Sequence, residues 1–263
     1  MTDVPVQVPA ERRRVGEIDF TVLSLSDAID FVLAAASNPS AVGHPGLAVH
    51  FCNAYNVALA RSDRSYANLL ANADVVFSDG VPITWVGRRA HPETAASWER
   101  VYGPDVMRGA FDASTTTGPL HYLLGGSPET LDALQQRIAV EYPHARVVGA
   151  ESPPFRTASY DELHARDRRI AASGASIVWV GLGTPKQDAE VQRIASSLPV
   201  VAMAVGAAFD FLAGTKPQAP AWMQRSGTEW AFRLASEPRR LGRRYVWGNS
   251  VFAMEALRTL RRP

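Results

Sequence analysis

The stretch LHYLLGGSPETLDALQQRIAVEYPHARVVG, Leu120–Gly149, decides the fold class of this chain. Leu120–Leu124 reads as a strand of the buried type. Gly125-Gly126-Ser127 turns the chain, and Pro128 opens a helix reaching Glu141; proline suits that first position because the amide it lacks would have no helical partner. Arg146–Gly149 reads as the next strand. Strand, helix and strand in this order predict a parallel pair, since parallel strands need a crossover about as long as a helix.

The alternation continues in both directions. Tyr160–Ser173 reads as a helix, Ile177–Val180 as a strand, Gly181–Lys186 as a loop, Gln187–Ser197 as a helix and Val200–Val205 as a strand. Toward the amino end, Asp74–Ser78 is a strand ending at Asp79-Gly80, and Leu47–Phe51 is another. A helical stretch starts at Asn53 and restarts near Asp63, a good N-cap residue. The expected architecture is α/β, a Rossmann-like parallel sheet with helices on both faces. Residues 1–14 are expected to fray and Arg88–Gly103 to form an exposed loop. A body spanning 15–221 is expected to have an internal joint at Asp112–Pro119 (DASTTTGP), followed by a basic, aromatic helical appendage at 222–263.

Composition narrows the class. A chain of 263 residues can bury a real core, and its net charge of +1 argues against a dedicated nucleic-acid binder. The charge is unevenly spread: residues 222–263 carry nine Arg and three Glu, a net of +6, leaving −5 for the rest. Such a basic segment suits an acidic partner. One cysteine, Cys52, rules out an internal disulfide framework and fits a reducing compartment. The N-terminus lacks the layout of a signal peptide, and the apolar run Val200–Ala213 is too short to span a bilayer and contains Asp210. A cytoplasmic protein is expected.

Several segments suit chemistry, each with a plainer alternative. The glycine pair Gly125-Gly126 could admit an anion to backbone amides at a helix start, or serve as a tight turn with Ser127 capping the helix. GLGTPKQD, Gly181–Asp188, gathers Gly183, Thr184, Lys186 and Gln187 beyond a strand's carboxyl end, where open α/β sheets bind ligands. Asp79 is placed either as a general base or as part of an ordinary Asp-Gly turn. Arg100, in RVYGPDVM, could grip a diphosphate, and Asp105 could start a helix. Asp210, inside an apolar run, needs a partner or a role. Trp222, Trp230 and Trp247 lie among the tail arginines, and apolar residues recur at 251, 254, 257 and 260. That face suits either an anionic membrane or packing on its own domain. No Tyr precedes a Lys by four residues, which removes the short-chain dehydrogenase pair. The six His are scattered, so no zinc-ligand spacing occurs and no metal site is expected.

Taken in order from about Val49 to the end, these segments resemble the WecG/TagA/CpsF glycosyltransferase family (family 26). The resemblance is carried by DG at Asp79, RVYGPD at Arg100, LLGG at Leu123, GLGTPKQD at Gly181, VGAAFDFLAGTKPQAP at Val205 and WMQRSGTEWAFRLASEPRRLGRRY at Trp222. It implies a GT-E type fold with a C-terminal membrane-docking appendage and an inverting, metal-independent transfer without a cofactor. The implied donor is a UDP-sugar, often of N-acetylmannosamine type, and the implied acceptor a polyprenyl-diphosphate-linked sugar in cell-surface polysaccharide or teichoic acid synthesis.

Residue by residue, the resemblance places Asp79 as general base, Arg100 at the phosphates and Gln187 as a polar residue of the PKQ segment. Arg233, Arg239 and Arg240 match appendage arginines that close over the site. Asn53 matches the Asn of a T-x-N pattern whose Thr is here Phe51, and Asp188 stands where Glu is usual. The implied location is the inner face of the cell membrane, held peripherally; a homo-oligomer is compatible with the sequence. The missing hydroxyl at Phe51 keeps a second expectation open, a nucleotide-sugar-binding protein of a membrane assembly that transfers nothing.

Overall fold

The structure, a computed structural model, describes residues 7–38 and 45–261, the side chain of Arg240 excepted. The chain begins with β1 (Arg12–Val15), β2 (Ile18–Thr21), α1 (Leu25–Ser37), β3 (Leu47–Cys52), α2 (Ala54–Ser62) and α3 (Arg64–Ala71). It continues through β4 (Val75–Ser78), α4 (Val81–Ala90), α5 (Gly103–Asp112), β5 (Leu120–Gly125), α6 (Pro128–Glu141) and β6 (Arg146–Glu151). The remainder is α7 (Tyr160–Ser173), β7 (Ile177–Gly181), α8 (Lys186–Ser197), β8 (Val201–Ala204), α9 (Ala208–Ala213), α10 (Ala221–Arg225), α11 (Glu229–Ser236) and α12 (Pro238–Arg261).

The fold is α/β, a six-stranded parallel sheet flanked by helices, with strand order β4-β3-β8-β7-β5-β6. The predicted strands and helices are present, most within a residue or two of their expected ends. Pro128 does open α6 and Asp63 does cap α3, accepting from the amides of Ser65 and Tyr66. Every residue of β3, β4 and β8 is buried, as suits their mostly apolar sequences, His50 and Ser78 included. Among the described residues, no helix is long and apolar enough to cross a membrane.

The chain divides into two compact units. The first comprises residues 1–8, 26–50 and 103–216, so the stretch 112–119 lies inside it. Ile170 of α7 and Val191 and Ile194 of α8 pack on Ala48, Leu124, Val178, Val180 and Ala202. The alternate strand residues His121 and Trp179 turn to the opposite face, where Phe111 of α5 meets them at ring distances of 4.9 and 5.7 Å. Burial, with a smaller push from Arg146, lowers the His121 imidazole to about 4, so it is a neutral core residue at pH 7. Asp210 has its partner in Lys216, at 2.9 Å.

The second unit comprises residues 9–25, 51–102 and 217–263. The expectation of fraying to residue 14 is corrected here, because β1 pairs antiparallel with β2 from Arg12 onward; residues 1–6 lie outside the described residues. The expected exposed loop at Arg88–Gly103 is also corrected. Helix α4 runs to Ala90, Pro92–Thr94 form a short 3-10 turn, and Trp98, Val101 and Tyr102 are buried. The charge and small residues of this stretch mask the few large side chains that anchor it. Trp98 packs so tightly on α4 that a side chain at Gly87 would begin 2.4 Å from its ring.

The unit's core joins Phe20, Val57, Tyr66, Val76, Ile83 and Trp98, with Phe252 and Ala256 of α12 packed against it. Residues 222–263 therefore include part of this unit's own packing. Trp98→Ala should lower the unfolding free energy by about 3–5 kcal/mol, the usual cost of emptying a buried aromatic site. Denaturant titration measures it, and a loss below about 1 kcal/mol would contradict the burial described.

Candidate functional site

In the second unit the carboxyl end of β4 delivers Asp79. Its amide donates to the Cys52 carbonyl at 3.0 Å, tying it to the end of β3. Asn53, the next residue after β3, caps α2: its Oδ1 accepts from the Tyr55 amide at 3.0 Å. That cap turns the Asn53 Nδ2 toward Asp79 Oδ2, 3.5 Å away. Two residues before Asn53, Phe51 is buried with its ring 5.7 Å from that of Phe77, so the position of the family threonine is used for packing.

Arg100 reaches the same strand end. Its Nε donates to the Asp79 carbonyl at 2.7 Å, Nη2 to Glu229 Oε2 at 2.6 Å and Nη1 to the Gln224 carbonyl at 3.5 Å. The guanidinium lies 3.8 Å from the centroid of the Tyr102 ring, and the Tyr102 hydroxyl donates to Glu229 Oε1 at 2.9 Å. Burial opposes the Arg100 charge, but Asp79, Glu229 and Tyr102 outweigh it and hold the pKa above its ordinary value. Burial, reinforced by Glu229, pushes the Tyr102 phenol up, so it remains a hydrogen-bond donor at any working pH.

Arg233, in the last turn of α11, shares this environment. Burial again opposes its charge, and the fields of Tyr245, Tyr102, Glu229 and Asp79 raise its pKa overall. Asn53, Asp79, Arg100 and Arg233 are thus gathered in one unit. Tyr102 and Glu229 join them, although neither stood out in the sequence. Tyr102 was visible only as a member of the RVYGPD motif, and Glu229 only as an acid in a basic tail. Arg239 is exposed on α12, and the Arg240 side chain lies outside the described residues.

The remaining expected site residues belong to the first unit. Gly125 and Gly126 take φ values of +121° and +73°. A side chain at Gly125 would begin 2.5 Å from the Gly181 carbonyl oxygen, and the Gly126 amide already donates to that oxygen at 3.2 Å. This pair is a turn between β5 and α6 packed closely on the end of β7, and Ser127 caps α6 by accepting from the Thr130 amide at 3.2 Å.

Gln187 is buried, with both ends of its amide committed. Its Oε1 accepts from the Gly183 amide at 2.9 Å, and its Nε2 donates to the Ala204 carbonyl at 3.2 Å. It holds the β7–α8 loop in shape against the end of β8. Asp188 is fully buried beside His50, Oδ1 to Nδ1 at 3.1 Å. Thr184 and Lys186 line the same loop, where Gly183 has φ +76° and no heavy atom within 4 Å of where a side chain would begin.

Glu229→Ala would strip Arg100 and Tyr102 of their shared acceptor while leaving both largely buried. A hydrogen bond to a charged group typically contributes about 1.5–3 kcal/mol. Denaturant titration should show a loss of that order, and Glu229→Gln a smaller one; an alanine variant as stable as wild type would mean that the cluster is solvated.

Asp79 with Asn53 in the second unit, and the GLGTPKQD loop in the first, each follow a strand of the parallel sheet. Comparison with protein families matches residues 13–263, nearly the whole chain, to the family described as glycosyl transferase WecG/TagA/CpsF, and the chain belongs to that glycosyltransferase family.

Proposed function

We propose that this chain is an inverting glycosyltransferase that takes a sugar, of N-acetylmannosamine type, from UDP. It passes that sugar to a sugar carried on a polyprenyl diphosphate, in the synthesis of a cell-surface polysaccharide or teichoic acid. The observation that carries the reading is the Asp79 cluster: a carboxylate at a strand end, steadied by Asn53, with Arg100 and Arg233 in its field.

In this reading Asp79 accepts the proton of the acceptor hydroxyl as that oxygen attacks the anomeric carbon from the face opposite UDP. The bond from the anomeric carbon to the phosphate oxygen breaks, and UDP leaves with the electron pair. Arginine charge from Arg100, Arg233, Arg239 and Arg240 meets the developing negative charge in place of a metal ion. Arg100 is paired with Glu229 before donor arrives, so a phosphate there exchanges one anion for another. The Gly183–Gln187 loop and the Gly125-Gly126 turn contribute to donor binding. Gln187 does so by holding the Gly183 amide in place.

Asp79→Asn keeps the shape and removes proton acceptance. It should lower UDP release in the presence of acceptor by about 10²–10⁴-fold while leaving UDP affinity close to wild type. A variant within threefold of the wild-type rate would remove Asp79 from the chemistry. The alternative of binding without transfer draws on Phe51 filling the threonine position. It predicts UDP-sugar binding by wild type with no UDP release across a panel of UDP-sugars and polyprenyl acceptors.

We further propose peripheral docking on the anionic inner face of the cell membrane. One face of α12 packs inward through Phe252, Glu255, Ala256 and Thr259, while Val246, Met254, Leu257 and Leu260 stay exposed on the other. Arg258 and Arg261 flank that stripe, and Trp222, Trp230 and Trp247 are exposed in the same segment. Basic and aromatic side chains around an apolar stripe favour an anionic interface, each arginine by about 1 kcal/mol.

Met254→Glu with Leu257→Glu alters the exposed stripe without touching the packed face. The double variant should lose co-sedimentation with phosphatidylglycerol vesicles, and wild-type binding should weaken as salt rises. Equal pelleting of both proteins would assign the stripe another role.

A further inference from the structure

The loop between β6 and α7, SPPFRTAS at Ser152–Ser159, presents Phe155 with 98 % of its surface exposed. Single exposed apolar residues are ordinary, and others here have plain accounts. Val140 is on α6, and the Tyr160 ring meets that of His164 at 4.1 Å. Phe155 differs because the loop that presents it is restrained. Pro153 and Pro154 restrict the backbone before it, and the Arg156 amide closes back on the Pro154 carbonyl at 2.7 Å. Arg156 also pairs with Glu162 of α7, Nη1 to Oε2 at 2.8 Å. Ser152 Oγ donates to the Gly126 carbonyl at 2.7 Å, which ties the loop to the turn after β5.

Two further features stand beside the ring. The Lys186 ammonium lies 4.8 Å from its centroid, at the start of α8, and among the described residues it makes no ion pair. The neighbouring backbone at Gly183 borders open space. A cation over one face of an aromatic ring is favourable and leaves the other face open to a flat partner. Restraint matters energetically, because a ring held in place loses little freedom when something stacks on it. A ligand that satisfies both groups must join a planar ring to an anion, which is the chemistry of a nucleotide. The position agrees with the general rule that open parallel sheets bind ligands beyond the carboxyl ends of their strands.

We propose that Phe155 is the stacking platform for the base of the donor nucleotide, with Lys186 beside it to meet the phosphates. This inference rests on the nucleotide-sugar transferase reading above and names the residues that recognise the nucleotide half of the donor. The phosphates interact with Lys186, and the uracil lies on the phenyl face. Because Phe155 contributes nothing to the core, its replacement should leave the fold intact.

The test is calorimetric titration of UDP and of inorganic pyrophosphate into wild type, Phe155→Ala, Phe155→Tyr and Lys186→Met. Stacking on an aromatic side chain corresponds to roughly 5–150-fold in affinity. Phe155→Ala should weaken UDP by that factor and pyrophosphate by less than about twofold, with an unchanged melting temperature. Phe155→Tyr should stay within about threefold of wild type, and Lys186→Met should weaken both ligands. If wild type binds UDP and Phe155→Ala binds it equally well, the platform is wrong while the transferase reading stands. Equal losses for UDP and pyrophosphate would overturn the base-stacking role. A wild-type protein that binds no UDP would overturn this inference together with the reading beneath it.

Discussion

A parallel strand that is covered on both faces is nearly apolar along its length, and its next neighbour can be reached only through a crossover. The rest of this architecture follows from that constraint. Polar side chains within β3 and β4 are few and paired internally, as His50 is with Asp188 and Ser78 with the Glu99 carbonyl, and the candidate site residues stand just past the strand ends. Asn53 follows β3, Asp79 follows β4, and the Gly183–Gln187 loop follows β7. The Asp79 amide is held by the Cys52 carbonyl at the end of β3, while the Asn53 and Gly183 amides are held by the side chains of Asn56 and Gln187 in the helices that follow.

Around Asp79 the organisation is electrostatic. A largely buried guanidinium is unfavourable unless its donors are met, and Arg100 has each of its three nitrogens within hydrogen-bonding reach of an oxygen, supplied by Asp79, Gln224 and Glu229. Two of those partners lie in the 217–263 segment, so the segment takes part in the internal structure of the unit that carries Asp79. Glu229 accepts from both Arg100 and Tyr102, so one carboxylate meets the guanidinium and the phenol together.

Several residues expected at the donor site also have structural roles. Gly125 is glycine because the Gly181 carbonyl leaves no room for a side chain. Gln187 divides its amide between Gly183 and Ala204, and Asp188 is matched to His50 in the interior. Such groups brace the loops and strand ends that carry them. Helix α12 is similarly divided, with Phe252 and Ala256 packed against the core and Met254 and Leu257 facing solvent.

The sequence by itself determined the parallel α/β class, the order of elements and most of their boundaries. Apolar runs, helix caps and glycine turns are local signals, and they agree with the global fold in segments such as Leu120–Gly149. It also marked Asp79, Asn53, Arg100 and Arg233 through ordered motifs. Only the tertiary structure decided that Trp98 is buried, because a single large side chain in a charged stretch has no periodicity to betray it. Only it joined Glu229 to Arg100 and Tyr102, residues separated by 129 and 127 positions. And only it set Lys186 over Phe155, since two loops separated by a helix and a strand meet through the sheet's register, which no local pattern records.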